Sequence, residues 1–399
     1  MKNKRKIIFT ISVLIVVIIV STIWTFFNIK NKTEEIQVSQ SEYNTELQEN
    51  EHMHIEEDST GDKIPVPNGY VGSKVAGENE IDTGYVIYEG EGEVNDENVE
   101  EAQKTRNQYV WIPVPDVSTM YGIDENGKKW GKTYSFAVSS NYDESTGAIP
   151  LNWSENNGIM KIEDKTGYRE PDIVTNNENT QYDMDSKLKN LEIGEETTHE
   201  FLIQLERDFN NMLESVEKYG GFYIGRYETG NLSKENLVIQ KGNTNLTGQT
   251  WYKIYTKCKN LANENVETNI IWTNQWDRTL MWLIESKDKT KEQICVDSTS
   301  WGNFGNAEFK YINNNGIEVT KNKGEINTRI PTGNAEYTKA NNIYDLAGNA
   351  PEWVMGAYSQ YNRIFRGGAY YEAIDLVSGY IYNNPNVIAY GFRVTLYIK

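Results

Sequence analysis

Ile7 to Ile29 is a run of 23 positions without a charge, and at 1.5 Å per residue a helix of that length crosses a hydrocarbon core of about 30 Å. Lys2, Lys4, Arg5 and Lys6 precede the run, while Lys30 and Lys32 follow it. That bias predicts a cytoplasmic N-terminus and an extracytoplasmic remainder. A cleaved signal peptide is the competing reading, but the apolar run is too long for one and no small-residue cleavage site follows it. Residues 1–32 are therefore expected to be a single-pass anchor in the cell membrane. Residues 33–60 are acidic, poor in apolar side chains and without sustained periodicity, as expected of a disordered stalk.

Residues 61–399 show a different pattern, with short β-prone runs broken by Pro and Gly. Strands are predicted around Tyr85 to Ile87, along Gln108–Asp116 up to the stop at Pro113 and Pro115, and along Gly221–Gly230 with alternating faces. Asn126-Gly127 predicts a hairpin turn. Its D-x-N-G context lacks the downstream Glu of a calcium loop. Leu202, Leu205, Phe209, Met212, Leu213 and Val216 form one apolar stripe, predicting a helix over about 200–218 that ends at Gly220-Gly221. A second helix is predicted from Thr273, as N-cap, with Asp277 in its first turn. Its Trp272, Trp276 and Trp282 read as core in preference to a sugar-stacking array. Residues 116–198, rich in Asn, Asp and Glu, read as a loop-rich insertion. The mixture predicts an α+β domain.

The chain carries 39 basic and 58 acidic side chains, for a net charge of −19. Because its first 32 residues are basic and without acids, the exported part is more acidic than the whole. Such a surface repels phosphate backbones, so nucleic acid is not an expected partner. Of three histidines, His52 and His54 fall in the expected stalk, leaving His199 alone to serve a packed site. A multi-histidine metal site is excluded, and no G-x-S-x-G, Walker, H-E-x-x-H or C-x-x-C motif is present. Cys258 and Cys295, 37 positions apart, could be a disulfide worth roughly 3–4 kcal/mol or two separate buried thiols.

Three C-terminal motifs hold most of the candidate chemistry: NNIYDLAGNAPEW at Asn341–Trp353, RIFRGGAYYE at Arg363–Glu372, and YGFRVTLYIK at Tyr390–Lys399. Asp345 and Glu352 bracket a tight loop, a pattern that suits a hard cation such as Ca²⁺. The alternative is that both carboxylates cap the turn by accepting backbone N–H bonds.

These motifs, with QYVWIPV and FYIGRYETG upstream, resemble the formylglycine-generating-enzyme, or sulfatase-modifying-factor, family over about Gln108 to the C-terminus. The resemblance implies an elaborated C-type-lectin-like fold. It also implies a Ca²⁺ site with ligands from the Asp345 side chain, the Gly348 and Ala350 carbonyls and the Glu352 side chain. The chain departs from the family at Pro351, where Trp is usual, and at Ala369-Tyr370, where Ser-Trp is usual.

Catalysis does not carry over. The family's active enzymes bind copper through two cysteines between the R-G-G and G-F-R motifs, and here no Cys follows Cys295. No copper is expected, nor the histidine-bound iron of a sulfoxide-forming relative. In the corresponding place stand Tyr370, Tyr371, Glu372, Tyr380, Tyr382, Asn383, Asn384 and Tyr390, residue types suited to a binding surface. The tail also resembles the variable display surface of diversity-generating-retroelement targets. The expectation is a membrane-anchored, non-catalytic domain that recognises a cell-surface glycan or protein. An oxidase recruiting Cys258 and Cys295, and a structural envelope protein, are the rivals.

Overall fold

A computed structural model describes residues 47–123, 127, 129–131, 134–135, 154–155, 198–231, 236–295, 297–359, 362–372, 377, 380–383 and 386–399. Ile7–Ile29 lies outside them. Among the described residues no helix is long and apolar enough to cross a membrane. Glu46–Lys399 form one compact unit, of mixed α+β structure with mostly strands and few helices.

In chain order the elements that frame the site are strands β1 (Met53–Glu57), β2 (Lys63–Pro67), β3 (Tyr70–Gly72), β4 (Val86–Glu89), β5 (Gln108–Pro113), helix α1 (Thr198–Tyr219), and β6 (Gly221–Gly225). There follow helix α2 (Trp251–Lys259), β7 (Val266–Ile270), helix α3 (Thr273–Glu285), β8 (Glu352–Ser359), β9 (Asn362–Arg366), β10 (Tyr380–Asn383), β11 (Gly391–Phe392) and β12 (Val394–Ile398). The main sheet is antiparallel, with strand order β7-β12-β6-β5-β4-β3. A second sheet runs β10-β9-β8-β11, its last pair parallel.

Helix α1 packs on β6 and β12, and Leu205, Phe209, Met212, Leu213 and Val216 of the predicted stripe are buried. Each such side chain contributes roughly 1.5–3 kcal/mol. Gly220, at φ 79°, ends the helix in the left-handed conformation that glycine tolerates. Helix α3 starts at Thr273 as expected, but Thr273 is its first residue and Trp272 its cap. The Gln275 side chain, accepting from the Trp272 N–H at 3.1 Å, does the capping instead. Trp272, Trp276 and Trp282 are core, fully enclosed.

Two expectations change. The segment read as stalk includes β1, which pairs with β2 in register from Met53–Pro67 to Glu57–Lys63. Met53 is buried and Glu56 accepts from the Gly72 N–H at 2.7 Å, from Lys74 Nζ at 2.7 Å and from Tyr85 Oη at 3.2 Å. The folded unit thus begins well before residue 61, because an acidic strand acquires donors that local composition does not reveal. The strand predicted for Gly221–Gly230 stops at Gly225, and all five of its residues are buried, so no face alternates to solvent. Within the 116–198 span, Tyr121–Ile123 pairs with Lys129–Gly131 across the expected turn, where Gly127 has φ 80°.

Candidate functional site

The loop from Asp345 to Glu352 is built on left-handed backbone: φ is 58° at Asp345, 73° at Gly348 and 59° at Asn349. Gly348 is required for space as well, since a Cβ there would lie 2.4 Å from the Asn303 carbonyl oxygen. Asn and Asp tolerate this conformation because their short side chains bond locally. The loop is thereby pressed into the interior, and its carboxylates go with it.

Asp345 is fully buried and accepts from Thr338 Oγ1 at 2.7 Å, Thr332 Oγ1 at 2.9 Å and the Gly333 N–H at 2.8 Å. Glu352 makes a two-point contact with Arg393, at 2.7 Å to Nη2 and 3.2 Å to Nε. Arg393 also donates to the carbonyls of Gly225 and Tyr344, both at 2.9 Å. Glu228, from the upstream FYIGRYETG motif, is a third buried carboxylate. It accepts from Asn245 Nδ2 at 3.0 Å, Asn349 Nδ2 at 2.5 Å and the Ala350 N–H at 2.9 Å. Burial raises the pKa of Asp345 and Glu352, with Arg393 partly opposing this at Glu352. Burial, followed by the charges of Asp345 and Glu352, pushes Glu228 well above the usual carboxylate range.

Of the predicted Ca²⁺ set of Asp345, Gly348, Ala350 and Glu352, both carboxylates are engaged by protein groups. Hydroxyl and amide donors hold Asp345, and a guanidinium holds Glu352. Among the described residues no group of three or more His, Cys, Asp or Glu is arranged to hold a metal ion. Nor do these bonds cap the turn: the backbone N–H that Asp345 accepts belongs to Gly333, Glu352 accepts from the Arg393 side chain, and the Ala350 N–H goes to Glu228.

The other charged motif residues are scaffold as well. Arg366 of R-G-G pairs with Asp277 of α3 at 2.6 Å, and the Arg363 guanidinium lies 3.9 Å from the Trp251 ring centre. Arg226 pairs with Glu78 at 2.6 Å and donates to Tyr88 Oη and Gln108 Oε1 at 3.1 Å. Sequence reading missed Glu228, Arg393, Arg226 and Asp277 as members of buried pairs and hydrogen-bond clusters. The signal was a charged residue set inside an apolar β-prone run, as in YIGRYETG.

The candidate binding residues separate into layers. Tyr371 is 47% exposed and meets the half-buried Tyr370 edge-on, ring centres 5.2 Å apart. Glu372 is half-buried, and its carbonyl accepts from the Gly305 N–H at 2.6 Å. Tyr390 is buried: it stacks on Phe365 at 4.1 Å, meets Trp353 edge-on at 4.8 Å, and accepts from Asn383 Nδ2 at 2.8 Å. Tyr380 and Tyr382 sit on edge strand β10, opposite Arg366 and Ile364. Asn384 lies outside the described residues.

Cys258 is a free, fully buried thiol, so it is not joined to Cys295. Burial pushes its pKa well above the ordinary thiol value, which suppresses the reactive thiolate. Cys295 closes a short helix, Lys291–Cys295. No family model matches the chain, and no curated protein is significantly similar to it in sequence.

Proposed function

We propose that this chain is a membrane-anchored, extracytoplasmic binding protein whose domain is a non-catalytic relative of the sulfatase-modifying-factor type. Its C-terminal face, centred on Tyr371 and Tyr370, takes a glycan or protein ligand at the cell surface. The observation that carries the reading is the contrast in the C-terminal motifs. Glu352, Arg366 and Arg393 are consumed in buried pairs, whereas Tyr371 presents an aromatic ring to solvent on the same scaffold. An exposed ring braced edge-on by a second ring gives contact area at little conformational cost.

An oxidase reading would need a reactive thiol pair, and a buried free Cys258 with a raised pKa argues against it. Two assays test the proposal. Arrays of glycans and surface proteins should give a hit that Tyr371→Ala weakens at least tenfold without loss of fold. Copper-dependent oxidation of cysteine peptides, abolished by Cys258→Ser, would overturn it. A folded protein that binds nothing in such arrays would favour the structural envelope reading.

A further inference from the structure

A second constellation, remote in sequence from the motifs, joins α1, α2 and β7. Asp208 of α1 is 1% exposed, and its two oxygens bridge an amine and an amide. Oδ1 accepts from Lys259 Nζ at 2.8 Å and from Gln204 Nε2 at 2.7 Å. Oδ2 accepts from Asn269 Nδ2 at 3.3 Å and from Tyr255 Oη at 2.7 Å. Asn269 is fully buried, and its carbonyl Oδ1 accepts the Ile270 N–H at 2.9 Å, which polarises the amide toward nucleophilic attack. The preceding residues hold the two elements together: Thr268 Oγ1 donates to the Cys258 carbonyl at 2.6 Å. Lys259 and Asn269 are thus consecutive to a bonded pair and share one carboxylate. The buried rings of Tyr255 and Tyr397 adjoin Asp208, and Glu267 lies 4.0 Å from Lys259 Nζ.

We propose that Lys259 and Asn269 become joined by an intramolecular amide bond, with Asp208 as the proton relay. The Lys259 ammonium gives one proton to Asp208, and the neutral amine attacks Cγ of Asn269. The new Nζ–Cγ bond forms as the Cγ–Nδ2 bond breaks. Asp208 passes the first proton to Nδ2, which leaves as ammonia, and takes the second from Nζ, ending protonated. The reaction is a transamidation, with no change in oxidation state and no co-reactant. Holding the half-buried amine beside the buried amide and relay on one carboxylate replaces a bimolecular encounter with a positioned one. The product ties β7, an edge strand of the main sheet, to the helix that covers it.

Mass spectrometry of the full chain, purified under denaturing conditions and digested with trypsin, tests this. The expected result is a branched peptide joining Lys259 to Asn269, lighter than its two linear parts by one ammonia, with trypsin failing to cut after Lys259. Linear peptides carrying free Lys259 and intact Asn269 would overturn the proposal. A branched peptide lighter by one water and joining Lys259 to Asp208 would overturn the assignment of Asn269. Lys259→Arg should show no branched species. Asp208→Asn, checked for native circular dichroism, should lose the branch as well, and its persistence there would overturn the relay role.

Discussion

The Asp345–Glu352 loop and the Tyr370–Tyr390 segment lie close in sequence yet treat their side chains in opposite ways. In the first, residue types associated with chemistry are enclosed and matched to fixed donors: Asp345 to two threonines and a backbone N–H, Glu352 to Arg393, Glu228 to two asparagines and Ala350. In the second, tyrosines that could pack a core grade from buried Tyr390 to half-buried Tyr370 to exposed Tyr371. Carboxylate density in a sequence is thus a poor guide to a site unless its donors are known. An aromatic ring that the fold leaves in water is the better pointer to a ligand.

The sharpest way to break this comparison is to remove one member of the enclosed pair. Arg393→Ala leaves Glu352 buried without its guanidinium and should cost about 3–5 kcal/mol of stability in urea denaturation. A loss below about 1 kcal/mol, the level of an exposed pair, would mean that the loop lies near the solvent. Next in size is Tyr390→Phe, which keeps the stack on Phe365 and removes the hydroxyl that accepts from Asn383. It should cost about 1 kcal/mol.

The acid–base behaviour of Glu228 and of Glu56 on β1 should differ in sign. Burial, followed by the charges of Asp345 and Glu352, raises the pKa of Glu228. Once folded it holds a proton that the unfolded chain has released, so its contribution is largest at low pH and is lost as pH rises through the raised value. Glu56 is the opposite case: burial raises its pKa, but its bonds to His54, Lys74 and Gly72 outweigh this and bring it down to about 2. Its contribution is present above the ordinary carboxylate range and is lost as pH falls toward that value. Denaturation at a series of pH values should therefore show a decline toward neutrality that Glu228→Gln lessens. It should also show an acid-side loss that Glu56→Gln lessens.

Tyr371→Ala should change stability by less than about 0.5 kcal/mol while weakening ligand capture at least tenfold, the pattern of an exposed contact residue. Chelation is the smallest effect expected. With Asp345 and Glu352 already bonded to protein donors, EDTA should leave Tm unchanged, and a clear fall that Asp345→Ala abolishes would restore the Ca²⁺ reading.

Helix α1 and the strand at Gln108–Pro113 were legible in the sequence, because each turns on local periodicity and punctuation: an apolar stripe closed by Gly220, and a β-prone run closed by Pro113. The turn at Gly127 followed from the same local chemistry. Strand β1 was not legible, because its acidic residues are stabilised by Gly72, Lys74 and Tyr85, up to 29 positions away. The candidate site divided along the same line. The residues at its positions could be read directly, but whether Glu352 would meet a cation or a guanidinium depended on Arg393, 41 positions away.

By itself, then, the sequence determined helix α1 and the strand at Gln108–Pro113, the acidic balance, the uncharged run Ile7–Ile29 and the absence of cysteines beyond Cys295. Each is a property of composition or of neighbours within a turn or two. Tertiary structure alone decided that Asp345 and Glu352 are internal struts, that Cys258 is a free thiol, and that Tyr371 is presented while Tyr390 is enclosed. The physical reason is that burial and pairing are long-range quantities: they are set by which segments the sheets bring together, and a charge or ring acquires its role only from those neighbours.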